Sequence, residues 1–411
     1  MFILIENGDV YAPESIGTQS VLIANDTVIK VGDIPRKTVE ALGVEVETID
    51  AEGCFVTPGF IDPHQHLLGG SGEDGFASQT PEISASEIIQ AGITTVVGCL
   101  GADTTMKTLP GLLAKVKGLK EEGLNAYMWS GGYTVPPTCI TSTVRDDIMF
   151  IEEVIGAGEI AVADERSSEP TPHELARLAH DVHVGGMLSK KAGVAHIHVG
   201  GGRSRLKPLR DAIKEHAVSP EWLYITHISR SEKLMLEAID LAKDGSYIDI
   251  DTVDDSLAEC LRFYLDNSGW EEKLTISSDA SKTSPANLFQ QIRACMVDEK
   301  LPVETVLRFV TANTADALKL QNKGRIAAGK AADVLVVTKK EFQIREVISL
   351  GRRLVKGGAL NFKETFLNDS NRRIILEGAK VNGNGHSSGI QHRVKPKARS
   401  AKPESGACEG K

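Results

Sequence analysis

Cysteine pairs, long apolar runs and an excess of positive charge are all missing from this chain of 411 residues. Its six cysteines are dispersed and form no CxxC pair, so we expect free thiols in a reducing compartment and no zinc site built from cysteines. No apolar run approaches the roughly 18–20 residues of a membrane helix. The N-terminal MFILIENGDV lacks the basic region of a secretory signal. These absences predict a cytoplasmic protein that does not use a membrane.

Charge and composition exclude further classes of protein. The chain has 46 Lys and Arg against 56 Asp and Glu, a formal charge of −10, which gives no general reason to expect nucleic acid as a partner. Hydrophobic residues make up 41% and charged residues 25%, close to ordinary globular usage, so wholesale disorder is excluded. Residues 378–411 have no apolar periodicity and hold seven Lys and Arg against two Glu. We predict that this segment is a disordered basic tail.

The rhythm of apolar residues changes after Pro58. Residues 1–57 contain short alternating runs broken by Gly, Asn and Asp, the pattern of small antiparallel strands. Eight short β-rich runs then alternate with segments of helical period, including 108–122, 171–183 and 232–243. The runs are GFIDPHQH, TTVVGCL, NAYMWSG, EIAVADE, VAHIHVG, LYITHIS, YIDIDT and KLTISSDA. Eight βα units over about 250 residues are what a (β/α)8 barrel requires.

The last ordered part of the sequence returns to short strands. Residues 319–363 include NKGRIAAGKAADVLVVT and SLGRRLVKGG, which resemble the N-terminal runs in length and composition. The simplest arrangement is an α/β fold in which a TIM barrel, residues 58–318, is inserted into a small composite β-sandwich domain. That second domain would be formed by residues 1–57 plus 319–363.

A histidine pair ends the first barrel run. His64 and His66 are two apart on a strand, so both imidazoles can point to the same face and hold one divalent ion. Taken alone, this H-x-H pattern is weak, because two nearby histidines are more often a coincidence or a hydrogen-bonded pair. Their position at the C-terminal end of a barrel strand strengthens the metal hypothesis, since barrel enzymes place their chemistry there.

Further ligand types occur in the later runs. His198, His227 and Asp279 end the fifth, sixth and eighth runs, and Glu159 begins the fourth. Imidazole and carboxylate together suit zinc or a similar first-row ion. Six such residues exceed the three protein ligands of an ordinary catalytic zinc, so we predict two divalent ions, with Glu159 as the bridging carboxylate. The alternative for Glu159 is a surface glutamate that caps a helix or forms an ion pair.

Several of these motifs together resemble the amidohydrolase superfamily of metal-dependent hydrolases over roughly residues 1–363. They are PGFIDPHQH, the eight-strand count, the strand-end His, His and Asp, and the closing GRIAAGKAADVLVV. Within the superfamily, the loops are similar to those of the isoaspartyl dipeptidases, metallopeptidases that cleave β-aspartyl dipeptides. The similar stretches include HQHLLGGSGEDG, GGYTVP, ADERSS, THISR and SSDASKTSP.

The resemblance implies a metal-dependent reaction. His64 and His66 would bind one metal, His198 and His227 the other, and Asp279 would be both a ligand and the proton shuttle. Zn²⁺ is the expected ion, at two per chain. A hydroxide that bridges the metals would attack the isopeptide bond of a small β-aspartyl dipeptide.

The same resemblance implies how the substrate is held. Glu73 would bind the free α-amino group, and Arg166 and Arg230 would bind the carboxylates, for which a guanidinium fork is well shaped. Tyr133 would place its hydroxyl on the scissile carbonyl. Thr283 stands where the family pattern has a substrate-binding serine, so the hydroxyl is kept and a methyl is added. Each of these charged residues has an ordinary alternative as a solvated or ion-paired surface group.

One departure from the family pattern concerns the bridging ligand. Most members bridge their metals with a carbamylated lysine, whereas this sequence has no lysine between Lys120 and Lys190. Glu159 aligns with that position and supplies the same two oxygens, so we interpret it as a functional replacement. Members of the family also form homo-oligomers, which we expect here.

Two other functions stay open at this point. One is an amidohydrolase that acts on cyclic amides or ureides, dihydroorotase-like or hydantoinase-like. It would share the metal ligands and differ in the loops. The other is a non-catalytic scaffold, which predicts lost ligands, whereas all the predicted metal positions carry competent side chains.

Overall fold

The computed structural model describes residues 2–253 and 255–370. The tail predicted over 378–411 lies outside the described residues. The chain divides into two compact units, Met1–Glu364 and Thr365–Lys411. In the second unit the described residues form one 3₁₀ turn, Thr365–Asn368. All other elements belong to the first unit.

The strands of the described chain are numbered in order. They are β1 Phe2–Tyr11, β2 Ser15–Ala24, β3 Thr27–Gly32, β4 Val46–Asp50, β5 Cys54–Pro58, β6 Phe60–Gln65, β7 Ile93–Gly98, β8 Asn125–Ser130, β9 Val154–Val162, β10 Ala195–Val199, β11 Leu223–Thr226, β12 Tyr247–Asp251, β13 Leu274–Ser277, β14 Val334–Thr338, β15 Ile344–Ser349, β16 Arg352–Lys356 and β17 Ala359–Leu360.

The α-helices fall mainly between the strands of the barrel. They are α1 Arg36–Glu40, α2 Ala85–Gln90, α3 Leu109–Glu121, α4 Val144–Phe150, α5 Pro172–Ser189, α6 Lys207–His216, α7 Glu232–Asp244, α8 Leu257–Asp266, α9 Ala286–Arg293, α10 Val303–Val310 and α11 Ala312–Ala317.

Eight parallel strands, β6 to β13, form the barrel in chain order. A parallel bridge between Gln65 and Ala280 brings the first strand back to the last. Each of the eight predicted runs overlaps one of these strands, so the prediction of a (β/α)8 barrel is confirmed. The strands are buried on both faces, as the helices around a parallel sheet require.

Both chain ends contribute to a separate nine-stranded sheet, in the order β17-β16-β15-β14-β5-β1-β2-β3 with β4 beside β1. The junction is the antiparallel pairing of β5 with β14, where Val56 lies opposite Val336. Both side chains belong to an apolar cluster with Ile3, Ile5 and Ile348. The alternate residues Leu335 and Val337 are also buried but belong to the core around the barrel, so a shift of the register by one residue would exchange the two sets. The predicted fold class is confirmed, and the domain boundaries stay a prediction.

Two elements extend beyond the expected limits. Helix α5 continues to Ser189 instead of ending near residue 183. Its Gly186 packs tightly against the backbone of a neighbouring segment. A Cβ on Gly186 would lie 2.3 Å from the Cα of Gly193, so only glycine fits there. Strand β9 begins at Val154, so Glu159 lies in its second half and not at its start.

None of the helices in the described ranges combines the length and the apolar character that crossing a bilayer requires.

Candidate metal centre and substrate cavity

The C-terminal ends of the barrel strands bring the predicted ligands together. His64 lies in β6, Glu159 in β9 and His198 in β10. His227 directly follows β11 and Asp279 lies two residues after β13, and both adopt left-handed backbone, with φ of 63° and 45°. Such a conformation costs a residue with a side chain about 1–3 kcal/mol and is concentrated at functional sites. The strain here turns both side chains into the barrel mouth.

Four ligand atoms form the first group. Nε2 of His64 lies 3.2 Å from Oε2 of Glu159 and 3.4 Å from Oδ1 of Asp279. Nε2 of His66 lies 3.6 Å and 3.1 Å from the same two oxygens. Nitrogen and oxygen ligands around one tetrahedral zinc are separated by about 3.3–3.5 Å, given bonds of about 2.0–2.2 Å. The spacing of the first group therefore fits a shared ion.

The second group uses the other oxygen of the same glutamate. Oε1 of Glu159 lies 2.6 Å from Nδ1 of His198 and 3.1 Å from Nε2 of His227. The two carboxylate oxygens of Glu159 thus face different histidine pairs, which is the arrangement of a bridging ligand between two metals.

The protein does not satisfy this cluster by itself. Both ring nitrogens of His64 and Oε2 of Glu159 are buried and have no hydrogen-bond partner in the described part of the chain. Buried polar atoms are nearly always paired, so these orphans indicate a missing partner. The donor types, the spacing and the orphaned atoms all fit divalent metal ions.

The pKa shifts of the carboxylates in this cluster also fit a cation site. Burial alone would lower the pKa of His64, but the charges of Glu159 and Asp279 raise it well above the usual value. Burial likewise tends to raise the pKa of Glu159, and the surrounding imidazoles hold it well below its usual value. The carboxylates are therefore kept ionised, which is the state that binds a cation.

Two aspartates that the sequence analysis did not single out hold the histidines in place. Oδ2 of Asp164 lies 2.9 Å from Nε2 of His198, and Oδ2 of Asp251 lies 2.7 Å from Nδ1 of His227. If each histidine donates its N–H to its aspartate, the opposite nitrogen is left with a lone pair toward Glu159. Their position at strand ends, in ADERSS and YIDIDT, was the available signal.

A cavity of about 310 Å³ lies beside the cluster. Glu73, Tyr133, Arg166 and Arg230 all line it, whereas Thr283 is not among its lining residues. Nη1 of Arg166 donates to Glu73 over 2.7 Å. Nε of Arg230 donates to a backbone carbonyl, that of Val199, over 3.0 Å. Four of the five predicted substrate contacts thus surround one space.

Tyr133 connects the cavity to the ligands. Its side chain is buried, and its hydroxyl lies 3.0 Å from Nδ1 of His198. The guanidinium of Arg166 stands over its ring at 5.2 Å. Burial, and next the charge of Glu159, raise the pKa of Tyr133 well above its ordinary value, so the hydroxyl keeps its proton.

Comparison with known proteins places these features in a family. Residues 55–354 match the amidohydrolase family. The chain is similar to the solved β-aspartyl dipeptidase of the thermophilic, keratin-degrading Fervidobacterium islandicum AW-1, with 40% identity and a TM-score of 0.85. The match covers 89% of this chain and 100% of that one. A second structure of that enzyme, in complex with the dipeptide β-Asp-Leu, gives 39% identity, a TM-score of 0.82 and the same coverage.

Curated relatives are more distant. Adenine deaminase 1 of Latilactobacillus sakei is 23% identical over 328 residues, which cover 78% of this chain and 52% of the relative. This chain spans about half the length of the adenine deaminases that it matches over most of its own length.

Proposed function

The chain belongs to the amidohydrolase family and is a hydrolase, and from this premise we propose that it cleaves the isopeptide bond of β-aspartyl dipeptides. The observation that carries the proposal is the charge pattern of the cavity. Outside the metal cluster and Asp251, the charged residues that line the cavity are Glu73, Asp255, Arg166, Arg230 and Lys282. They carry one more positive than negative charge, and a β-aspartyl dipeptide, with one amino group and two carboxylates, is the complement of this set.

The proposed cofactor is a pair of divalent ions, Zn²⁺ being the expected one. His64, His66 and Asp279 would hold one ion, His198 and His227 the other, and Glu159 would bridge them. Bound divalent ions supply an activated water at neutral pH and polarise a carbonyl oxygen.

The proton transfers fall to Asp279. Its Oδ1 lies between His64 and His66, and its side chain lines the cavity, so it reaches both the ligand cluster and the substrate. We assign it the removal of a proton from the attacking water and the delivery of that proton to the leaving amine. The neighbouring imidazoles keep the pKa of Asp279 below its usual value despite burial, so the group starts as a base.

Tyr133 stabilises the charge that develops on the carbonyl oxygen. Its hydroxyl is protonated, buried and held in place, so donation of a hydrogen bond costs little reorganisation when the tetrahedral state forms.

The ion pair between Glu73 and Arg166 indicates how the substrate would bind. In the free protein Nη1 of Arg166 pairs with Glu73, while its Nε and Nη2 donate to the two oxygens of Asp164. A zwitterionic dipeptide can replace both partners at once, with its amino group on Glu73 and a carboxylate on Arg166. Arg230, whose guanidinium has no acidic partner among the described residues, is available for the second carboxylate.

The test uses two isomers, β-Asp-Leu and α-Asp-Leu, which differ only in which carboxyl group forms the amide. Purified protein loaded with zinc or cobalt should hydrolyse the β isomer and leave the α isomer nearly intact. N-acyl amino acids and cyclic ureides complete the panel. Hydrolysis of ureides without any cleavage of β-Asp-Leu would overturn the dipeptidase proposal in favour of a dihydroorotase-like or hydantoinase-like enzyme. Inactivity on every substrate after metal loading would favour the scaffold.

Zinc as the native ion, a homo-oligomeric assembly and a cytoplasmic location stay predictions. The metal is checked by elemental analysis of the purified protein, and the assembly by its mass in solution.

A further inference from the structure

Among the described residues, three lysine and arginine side chains line the cavity. They are Arg166, Arg230 and Lys282, in the loops that follow β9, β11 and β13. The barrel strands follow one another in chain order and close between β13 and β6, so Lys282 lies across the mouth from Arg166. Apart from its second side chain, a β-aspartyl dipeptide has two carboxylates, which Arg166 and Arg230 would bind. Lys282 is then left without a role.

Lys282 is not engaged by the rest of the protein. Its ammonium forms no hydrogen bond or ion pair with any residue of the described ranges. Arg166, by contrast, donates to both Asp164 and Glu73. A lysine ammonium is a compact charge with three donors on a flexible stem, and it pairs readily with a carboxylate. Lys282 therefore offers an unpaired positive charge to a ligand in the cavity.

Contacts between two loops fix the position of Lys282. A Cβ on Gly70 would lie 3.5 Å from Cγ of Lys282, so the stem of the lysine packs against the loop after β6. The hydroxyl of Thr80 joins the same two loops, because it accepts from the N–H of Gly70 over 2.6 Å and donates to the carbonyl of Ser281 over 2.9 Å. The loop after β13 thus places Lys282 at the cavity, whereas its neighbour Thr283, the predicted substrate contact, does not line it.

The covalent structure of the substrate indicates which group would meet Lys282. In the aspartyl residue, the amino group and the free carboxylate share one carbon, so they require a carboxylate and a cation side by side. Glu73 and Arg166, 2.7 Å apart, are such a pair. The leaving residue lies across the scissile bond, with its carboxylate on Arg230. Its side chain is attached to the carbon that carries this carboxylate, so it would lie next to Arg230.

The loops on the two sides of Arg230 differ. Within the described ranges, the loop after β10 contributes no residue to the lining of the cavity, whereas the loops after β12 and β13 contribute Asp255 and Lys282. The charge of Asp255 is partly balanced, because this residue directly precedes Ser256, the N-cap of α8, at the positive end of the helix dipole. Lys282 has no comparable partner, so the side chain of the leaving residue would meet an excess of positive charge.

We infer that Lys282 binds the side chain of the leaving residue and gives the enzyme a preference for β-aspartyl dipeptides whose second residue is acidic. This inference rests on the proposed dipeptidase function and deepens it, since it names a class of substrate. Ion pairs that stay in contact with water contribute little individually, so we expect a preference of about two- to fivefold.

The dipeptides β-Asp-Glu and β-Asp-Gln test the inference, because they have nearly the same shape and differ in one charge. In the zinc-loaded wild type, kcat/KM should be about two- to fivefold higher for β-Asp-Glu. Lys282→Met should bring the two values together, and Lys282→Glu should reverse the preference. The rate on β-Asp-Gln should change by less than about twofold in Lys282→Met, since this substrate does not use the charge.

Lys340→Met is the matched control, because Lys340 is exposed and does not line the cavity. It removes the same charge and should keep the wild-type preference. Equal rates on the two dipeptides in the wild type, or an unchanged preference in Lys282→Met, would overturn the inference and leave the dipeptidase proposal intact. Failure of the wild type to hydrolyse any β-aspartyl dipeptide would overturn both.

Discussion

Two buried charged clusters lie at opposite ends of the barrel, and they are built differently. At the N-terminal end, Nζ of Lys323 lies 2.8 Å from Oδ2 of Asp333. The amide of Asn125, the first residue of β8, and the backbone N–H of Leu350 also donate to this carboxylate. At the C-terminal end, the cluster around Glu159 keeps buried atoms that have no partner among the described residues.

The difference separates a structural cluster from a binding cluster. Around Asp333, the ammonium of Lys323 balances the carboxylate, and both carboxylate oxygens accept hydrogen bonds from the protein itself, as a buried ion pair requires. Around Glu159, histidines and carboxylates converge, and no lysine or arginine of the described residues pairs with Glu159. Barrels keep stability at the N-terminal face and chemistry at the C-terminal face, and these two clusters follow that division.

The largest effect is expected at Asp279. Asp279→Asn removes the proton carrier and should lower kcat on β-Asp-Leu by about 10²–10⁴-fold. Because Asp279 is also a proposed metal ligand, kcat is compared at equal metal content, which is measured by elemental analysis. A rate within threefold of the wild type would show that another group moves the proton.

The N-terminal cluster should respond in stability and not in metal binding. Lys323→Met leaves Asp333 buried and unpaired, so the free energy of unfolding should fall by about 3–5 kcal/mol, as measured by urea titration. The double variant Lys323→Met/Asp333→Asn should recover part of the loss. A fall in metal content per folded chain, without a loss of stability, would contradict the proposed division between the two ends.

A variant of Tyr133 tests whether the C-terminal end of the barrel also stabilises the charge that develops on the carbonyl oxygen. Tyr133→Phe removes one hydroxyl, and kcat should fall by about 10²–10³-fold with little change in KM. A rise in KM at constant kcat would instead assign Tyr133 to substrate binding.

A smaller effect, on metal affinity, is expected from the aspartates that hydrogen-bond the ligand histidines. Asp251→Asn weakens the orientation of His227, and metal affinity should fall by about 10–100-fold in a chelator competition. Asp249→Asn is the control, because Asp249 is buried in the same strand and accepts hydrogen bonds from Thr226, Thr275 and Ser277, none of which is a proposed ligand. Equal losses in the two variants would mean that the effect is a general disturbance of β12.

The strands and the ligand histidines could be predicted from sequence because both are local signals. The apolar runs mark buried strands, and a polar residue at the end of such a run stands out. The start of β9 was hidden by Gly156 and Gly158, which break the apolar pattern. A Cβ at Gly158 would lie 2.7 Å from the Cβ of His196, so the interruption comes from close packing.

The contacts of Asp164 and Asp251 could not be predicted in the same way. Each bonds a histidine more than 20 residues away, and only closure of the barrel brings the partners together. The length of α5 was underestimated for a similar reason, since its Gly185 packs against the distant backbone of Arg145.

The metal content of wild type and of Glu159→Ala tests the central claim most directly, because Glu159 faces both histidine pairs. Elemental analysis of the folded proteins should give about two divalent ions per chain in the wild type and a marked loss in the variant. Unchanged metal content in Glu159→Ala would remove Glu159 from the site and contradict a centre bridged by this carboxylate.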